Sequence, residues 1–339
     1  MPLTDVQMAC KYVKEDFGVD LDFHKIGYED QGAYELIGSG ETDGVFQLES
    51  PGMKRFMKDL KPTTFEDIIA GISLYRPGPM DSIPQYIKNK HYPDQIEYDH
   101  PLMEPILKNS YGILIYQEQV MQVCQSLGGF TLGHADIVRK AMGKKKVEIM
   151  EEQKSIFVYG GINEHTGLPV EGAIKRGVPE DVAIKIYDGM KPFARYAFNK
   201  SHAAAYAVLA YQTAFLKKYY EVEFFCSLLN NRIDKIEELS KYLNYLKTKN
   251  IKVLPPDINK SKAEFSCENG GIRFGLVGLK NVGLNVINDI IEERTKNGDF
   301  SSFEDFINRA VSLNINKRLV ESLILSGSFD SFGINRKTY

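Results

Sequence analysis

The sequence is short of the features that announce a metal centre, a redox fold or a membrane span. Its four cysteines, Cys10, Cys124, Cys226 and Cys267, form no CxxC or CxxH pair. That excludes a zinc knuckle and a dithiol motif, and their apolar or helical surroundings suit buried, reduced thiols in a cytosolic protein. The six histidines show no HxxxH spacing, so no histidine-built metal site is expected. No run of about 18 apolar residues exists, which excludes a transmembrane helix and any membrane partner of that kind. The first residues lack a basic region followed by an apolar core, so the expected location is the cytoplasm. Low-complexity tracts and repeats of about 20–50 residues are also missing.

What is present is ordinary in sum and uneven in detail. With 42 Lys+Arg against 45 Asp+Glu, the chain carries a formal net charge of −3, which taken whole argues against a polyanion partner. The sum hides the distribution. Residues 1–50 hold eleven acids and three bases, a local charge of −8, and residues 51–339 carry +5. Residues 190–219 contain Lys191, Arg195, Lys200, Lys217 and Lys218 and no acid, and a second basic run spans Arg139, Lys140, Lys144, Lys145 and Lys146. Such concentrations can face a polyanion.

Helical signals dominate the first 250 residues. Thr63-Thr-Phe-Glu66 has the form of a capping box, and its helix must end before Arg76-Pro77-Gly78-Pro79. Val120, Val123, Cys124 and Leu127 recur at helical spacing after Gln117-Glu118-Gln119, with Gly128-Gly129 as the stop. Pro179 predicts a helix start running to about Met190, and residues 203–219 read as an Ala-rich helix whose final lysines suit its C-terminal dipole. After Pro255-Pro256 the pattern changes. Residues 263–275, with Asn269-Gly270-Gly271 between two short runs, read as a β-hairpin. Helices resume at about 283, and Ser301-Ser-Phe-Glu304 is a second capping box. The fold class is therefore mainly α: a multi-helix region, a small β-hairpin and a C-terminal helical subdomain.

Several long strings occur in order along the chain: Gly44-Val-Phe-Gln-Leu-Glu-Ser50, Leu74-Tyr-Arg-Pro-Gly-Pro79, Tyr111-Gly-Ile-Leu-Ile-Tyr-Gln-Glu-Gln-Val-Met121, Arg139-Lys-Ala-Met-Gly-Lys-Lys-Lys146 and Tyr196-Ala-Phe-Asn-Lys-Ser-His202. Leu254-Pro-Pro-Asp257, Asn316-Lys-Arg318 and Ser326-Gly-Ser-Phe-Asp330 follow. The sequence resembles the C-family polymerases, the alpha subunits of bacterial replicative DNA polymerase III, over essentially its whole length. The resemblance implies the fingers region with a tandem helix-hairpin-helix, and not the palm or thumb. It divides the chain into an acidic connector from the palm at 1–50, helical fingers at 51–250, and a β-hairpin with helix-hairpin-helix at 251–339.

That resemblance implies a part in template-directed DNA synthesis during chromosomal replication, with the incoming dNTP and the primer-template as ligands. The other partners implied are the palm and thumb, and replisome subunits including the sliding clamp through segments outside this chain. Catalysis in such enzymes needs Mg2+ held by carboxylates on a strand. Asp20-Leu-Asp22 is the one Asp-x-Asp here, and its acidic, Gly-preceded setting reads as a solvated connector. No catalytic residue, no metal ligand and no bound cofactor are expected in this segment, with Mg2+ belonging to the full-length enzyme, and the isolated chain is expected to be inactive. A stand-alone, non-catalytic DNA-binding or regulatory module derived from the polymerase is the alternative.

Candidate nucleotide contacts are Arg139 and Lys140, then Tyr196, Lys200 and His202 beside a helix start, and Arg76 at the Pro-Gly-Pro turn. A triphosphate calls for Arg forks and Lys point charges near helix N-termini. Many relatives carry Arg-Arg where this chain has Arg139-Lys140. Candidate DNA contacts are Lys144, Lys145 and Lys146, then Lys280, Asn281 and Gly283 in a hairpin resembling helix-hairpin-helix, and Lys317 and Arg318 in its second unit. Asn281 replaces the usual first glycine of that turn, a position Asn tolerates in the left-handed region.

Overall fold

Seventeen α-helices separated by short 3-10 turns make up most of the described chain, joined by two small sheets. The computed structural model describes residues 2–336 apart from 145, 164–166, 197, 314 and 334; the side chains of residues 142, 147, 192–196 and 312 also lie outside the description.

The chain divides into two compact units. The first comprises residues 1–27, 43–46 and 212–339, and the second residues 28–42 and 47–211. In the second unit, Phe65–Leu74 is a nearly wholly buried helix whose capping box is built by Thr64 and Asp67, one residue later than the sequence pattern predicts. The reason lies in Asp67. Its carboxylate accepts from the backbone amides of Thr63 and Thr64 at 2.9 and 3.1 Å, from the Tyr111 hydroxyl at 3.3 Å and from Lys90 Nζ at 3.0 Å, all out of water. A buried charge must be paired and hydrogen-bonded, and Asp67 meets that demand where Glu66 would not. Glu66 is thereby released from capping.

The Gln117–Ser126 helix follows its predicted face, burying Val120, Val123 and Cys124. Burial pushes the Cys124 thiol up to about 12, so it stays protonated and inert at neutral pH. Gln119 is structural: its amide oxygen accepts from Ile115 and Tyr116 N–H at 2.9 and 3.0 Å, and its amide nitrogen donates to Ser110 Oγ at 2.6 Å. This helix packs on Leu132–Gly143, which also meets Val147–Tyr159 and Glu180–Tyr196 around one apolar core. Glu180–Tyr196 runs six residues beyond its predicted end at Met190, past Pro192. A short antiparallel pair, Gly161–Ile162 with Pro169–Val170, was not foreseen as strand. Its base needs glycine: Gly160 and Gly172 sit at positive φ, and a Cβ on Gly172 would lie 2.2 Å from Gly160 N.

In the first unit, Pro2–Phe17 packs along Glu221–Asn230 over a core of Leu216, Phe224, Phe225, Leu228 and Phe265. The predicted hairpin is present as Ser266–Glu268 with Gly271–Arg273, turning at Asn269 and Gly270 with φ of 52° and 72°. Val253–Leu254 adds a third, parallel strand that the sequence pattern misses. The second predicted box shifts like the first: Ser302 caps Phe303–Ala310 by accepting from Asp305 N–H, and Asp305 accepts from Ser301 N–H. Lys217 departs most from expectation. The residue is 2 % exposed, and its ammonium donates to the Asp43 carbonyl at 2.8 Å and lies 4.4 Å from the Tyr245 ring centre, so it serves the core rather than a helix end.

Candidate functional site

The candidate site in the second unit grows from one backbone junction. Tyr116 and Phe198 form a parallel bridge, in which Phe198 N–H donates to the Ile115 carbonyl at 3.2 Å and Gln117 N–H to the Phe198 carbonyl at 3.0 Å. The bridge sets the starts of two helices, Gln117–Ser126 and Lys200–Tyr219, side by side. Helix starts leave backbone N–H groups unpaired and carry positive potential, so the pair favours an anion. Two acceptors already occupy part of that potential. Asn199 Oδ1 accepts from His202 N–H at 2.9 Å, and both Glu118 carboxylate oxygens accept from Lys200 N–H at 3.2 Å.

Phe198 is the hub of the side chains here. The Arg76 guanidinium stacks 4.0 Å from its ring centre while Arg76 Nε donates to the Ser73 carbonyl at 3.1 Å. Burial holds the Arg76 pKa below its ordinary value. The exposed His202 ring meets Phe198 edge-on at 5.2 Å and Tyr206 at 4.6 Å. Lys200 Nζ sits 5.4 Å from the Tyr116 ring centre and pairs with Glu66 at 3.0 Å, the carboxylate that Asp67 freed from capping. The Glu180–Tyr196 helix places the Tyr196 backbone nearby in sequence, but the Tyr196 side chain lies outside the described residues.

Arg139 joins the same junction through Gln117, donating Nη1 to its Oε1 at 3.2 Å. Its other donors converge on Asp136 Oδ1 at 2.9 and 2.7 Å, and Lys140 Nζ reaches Asp136 Oδ2 at 2.6 Å. These bonds, Lys140 first and then Arg139, hold the Asp136 carboxyl below the usual carboxylate range. Arg76, Arg139, Lys200 and His202 are therefore gathered about Phe198 and Gln117, and Lys140 is linked to them through Asp136. Sequence reasoning missed Phe198 and the carboxylates Glu66, Glu118 and Asp136. Asp136 was legible in principle, standing three and four residues before Arg139 and Lys140 on one helix face. Two cations of the acid-free stretch 190–219 are held in the same manner: Lys191 pairs with Glu151 at 2.7 Å and Asp188 at 2.9 Å, and Lys200 with Glu66.

Lys144 and Lys146 are exposed between the Leu132–Gly143 and Val147–Tyr159 helices, and Lys145 lies outside the described residues. In the first unit, Asn281 adopts φ 62°, the left-handed conformation expected of it, and Val282 beside it is buried. Gly283 differs: it is the N-cap of Leu284–Asn297 at φ −93°, a conformation open to any residue, and a Cβ there would meet nothing within 4 Å. The turn's conformational demand falls on Asn281, and Gly283 leaves the helix start clear. Asn316 caps the Lys317–Ser326 helix, accepting from Leu319 N–H at 2.9 Å, with exposed Lys317 and Arg318 in its first turn. Lys280 is exposed as well.

The Asp20–Asp22 pair does not fit a two-metal centre. Asp20 pairs with Lys14 at 3.0 Å, and Asp22 caps the Phe23–Ile26 helix by accepting from His24 N–H. Neither carboxylate is on a strand.

Among known proteins, a family model described as the bacterial DNA polymerase III alpha subunit finger domain matches residues 2–165, and one described as a helix-hairpin-helix motif matches residues 250–339. The chain is 47% identical to the DNA polymerase III subunit alpha of Borreliella burgdorferi over 94% of its length, and 44% identical to that of Thermus aquaticus over 98%. It is 43% identical to that of Chlamydia trachomatis over 98% of its length. It spans about a quarter of the length of these curated relatives, 26–27% of each.

Proposed function

We propose, for a chain that belongs to the family of bacterial DNA polymerase III alpha subunits and carries its finger and helix-hairpin-helix regions, a non-catalytic share in template-directed DNA synthesis: capture of the incoming dNTP triphosphate and of the primer-template. The observation that carries this reading is the gathering of Arg76, Arg139, Lys200 and His202 from three separate segments about the Phe198 bridge, where two helix starts lie together.

The chemistry proceeds by exchange of partners. Asp136 holds Arg139 and Lys140, and Glu66 holds Lys200. A triphosphate offers more charge and more acceptor oxygens than a single carboxylate, and Arg meets it bidentately. Arg139, Lys140 and Lys200 turn from their carboxylates to the phosphates, while Arg76 stays stacked on Phe198 at the edge of the site. The carboxylates keep the cations from collapsing onto other anions until a triphosphate outcompetes them.

The exposed Lys280, Lys317 and Arg318, with the clear N-terminus after Gly283, suit contacts to DNA phosphates that position the duplex without reading sequence. Lys144 and Lys146, exposed in the second unit, carry charge that suits a polyanion as well. Phosphoryl transfer needs two metal ions held by carboxylates, and Asp20 and Asp22 are committed elsewhere, so the chain alone performs no synthesis; Mg2+, the palm and the thumb complete the enzyme. The test is the double substitution Arg139→Ala with Lys140→Ala in a full-length polymerase. Removing two charge-assisted contacts lowers kcat/KM for the nucleotide by about 100-fold. Unchanged nucleotide kinetics would remove the role.

A further inference from the structure

One cluster outside the regions described above places ligating atoms of three elements together with no partner among themselves to account for it. Asp16 ends the Pro2–Phe17 helix, Glu223 lies in the first turn of Glu221–Asn230, and Cys267 is the middle residue of the Ser266–Glu268 strand. One ligand atom from each lies within 4.8 Å of the others. Glu223 is 6 % exposed, yet none of the described residues donates a hydrogen bond or ion pair to its carboxylate through a side chain. Its carboxylate keeps one backbone N–H as donor but has no cation beside it, and a buried carboxylate without a counter-charge is costly, a cost that a bound cation would remove. Asp16 and Cys267 line a cleft of about 370 Å³ that gives an ion a path from solvent.

We propose that Asp16, Glu223 and Cys267 form a binding site for one Zn2+ ion. The donor set selects the metal. Mg2+ and Ca2+ prefer oxygen ligands throughout, whereas a thiolate beside two carboxylates suits borderline-soft Zn2+. Zn–S and Zn–O bonds of about 2.3 and 2.0 Å put tetrahedral ligands about 3.5 Å apart, so the donors must close by roughly 1 Å. The exposed Asp16 side chain, on the last turn of its helix, supplies that movement. Cys267 gives up its proton on binding, and a water on the cleft side completes the tetrahedron. The site ties the first helix to the small sheet and departs from the expectation that this segment holds no metal. It is independent of nucleotide binding.

The test uses the reduced, chelator-treated full chain titrated with Co2+ and then Zn2+. One equivalent of Co2+ per chain is expected, with a near-ultraviolet sulfur-to-cobalt charge-transfer band that Zn2+ abolishes and excess Mg2+ does not. Cys267→Ser should lose the band, and Glu223→Gln should weaken Zn2+ binding by more than about 10-fold. Should the buried substitutions prevent folding, Asp16→Asn, at an exposed position, carries the decision: weaker Zn2+ binding with unchanged circular dichroism supports the site. No uptake by the wild-type chain, a band that survives Cys267→Ser, or wild-type affinity in Asp16→Asn would overturn it.

Discussion

The cations about Phe198 and those at the C-terminal helix starts are held in opposite ways. Arg139 and Lys140 rest on Asp136, and Lys200 on Glu66, at distances of 2.6–3.0 Å. Lys280 and Arg318 stand exposed, and Lys317 has a 3.7 Å pair with Glu321 at 89 % exposure. The first arrangement suits a small, highly charged ligand that must be seized in one geometry. The second suits a long polyanion met at many positions with little ordering. Charge totals cannot distinguish them, since both sets are basic in sequence; their partners can.

The sharpest way to break this contrast is to remove cations from each side in turn. The Arg139 and Lys140 double alanine variant should lose about 100-fold in nucleotide kcat/KM while its duplex affinity changes little. Replacing Lys280, Lys317 and Arg318 with alanine should do the reverse: duplex binding weakens by about 10-fold or more at moderate salt, and the slope of log K against log salt falls by about 3. A salt titration of duplex against both variants measures it, and interchangeable effects would dissolve the distinction.

Backbone substitutions sharpen the hairpin side. Asn281→Val places a β-branched residue at φ 62° and should cost about 1–2 kcal/mol in urea unfolding, whereas Gly283→Ala should stay within about 0.5 kcal/mol. If Gly283→Ala nevertheless weakens duplex binding, the clear helix start is where a phosphate approaches.

The smallest effect concerns the latch that Asp136 makes by holding Arg139 and Lys140. Asp136→Asn should cost under about 1 kcal/mol of stability, because the pair is partly exposed. The Asp136 carboxyl titrates below its unfolded value, so its contribution is complete above the unfolded pKa and is lost as pH falls through the lowered folded value. Between pH 6 and 8 the latch stays closed, and melting temperatures of wild type and Asp136→Asn should run parallel across that range.

The sequence carried the helical framework well because periodicity and caps are local. Val120, Val123, Cys124 and Leu127 declare their face without knowledge of what covers it, and Asn269-Gly270 declares its turn. The capping boxes slipped by one residue each because Asp67 and Asp305 compete with Glu66 and Glu304 for the same job, and the winner depends on longer-range contacts such as Lys90. Site cations were legible by charge and by resemblance. Their carboxylate partners were not, since Glu66 meets Lys200 across 134 positions and Glu118 across 82. Phe198 was hidden for a different reason: its role is set by a backbone bridge to Tyr116 that no local pattern encodes. Lys217 shows the same limit, a core cation written as a surface one.

In the proposed exchange, Arg139, Lys140 and Lys200 are held by Asp136 and Glu66 and handed to a triphosphate. The most direct measurement is the dNTP dissociation constant of a full-length polymerase carrying Asp136→Asn, determined by rapid-quench kinetics at two salt concentrations. Without the competing carboxylate, dNTP should bind about 3-fold more tightly, a gain of roughly 0.7 kcal/mol that shrinks at higher salt. Binding that is unchanged or weaker would mean that Asp136 positions Arg139 and Lys140 for some other purpose, and would contradict the exchange.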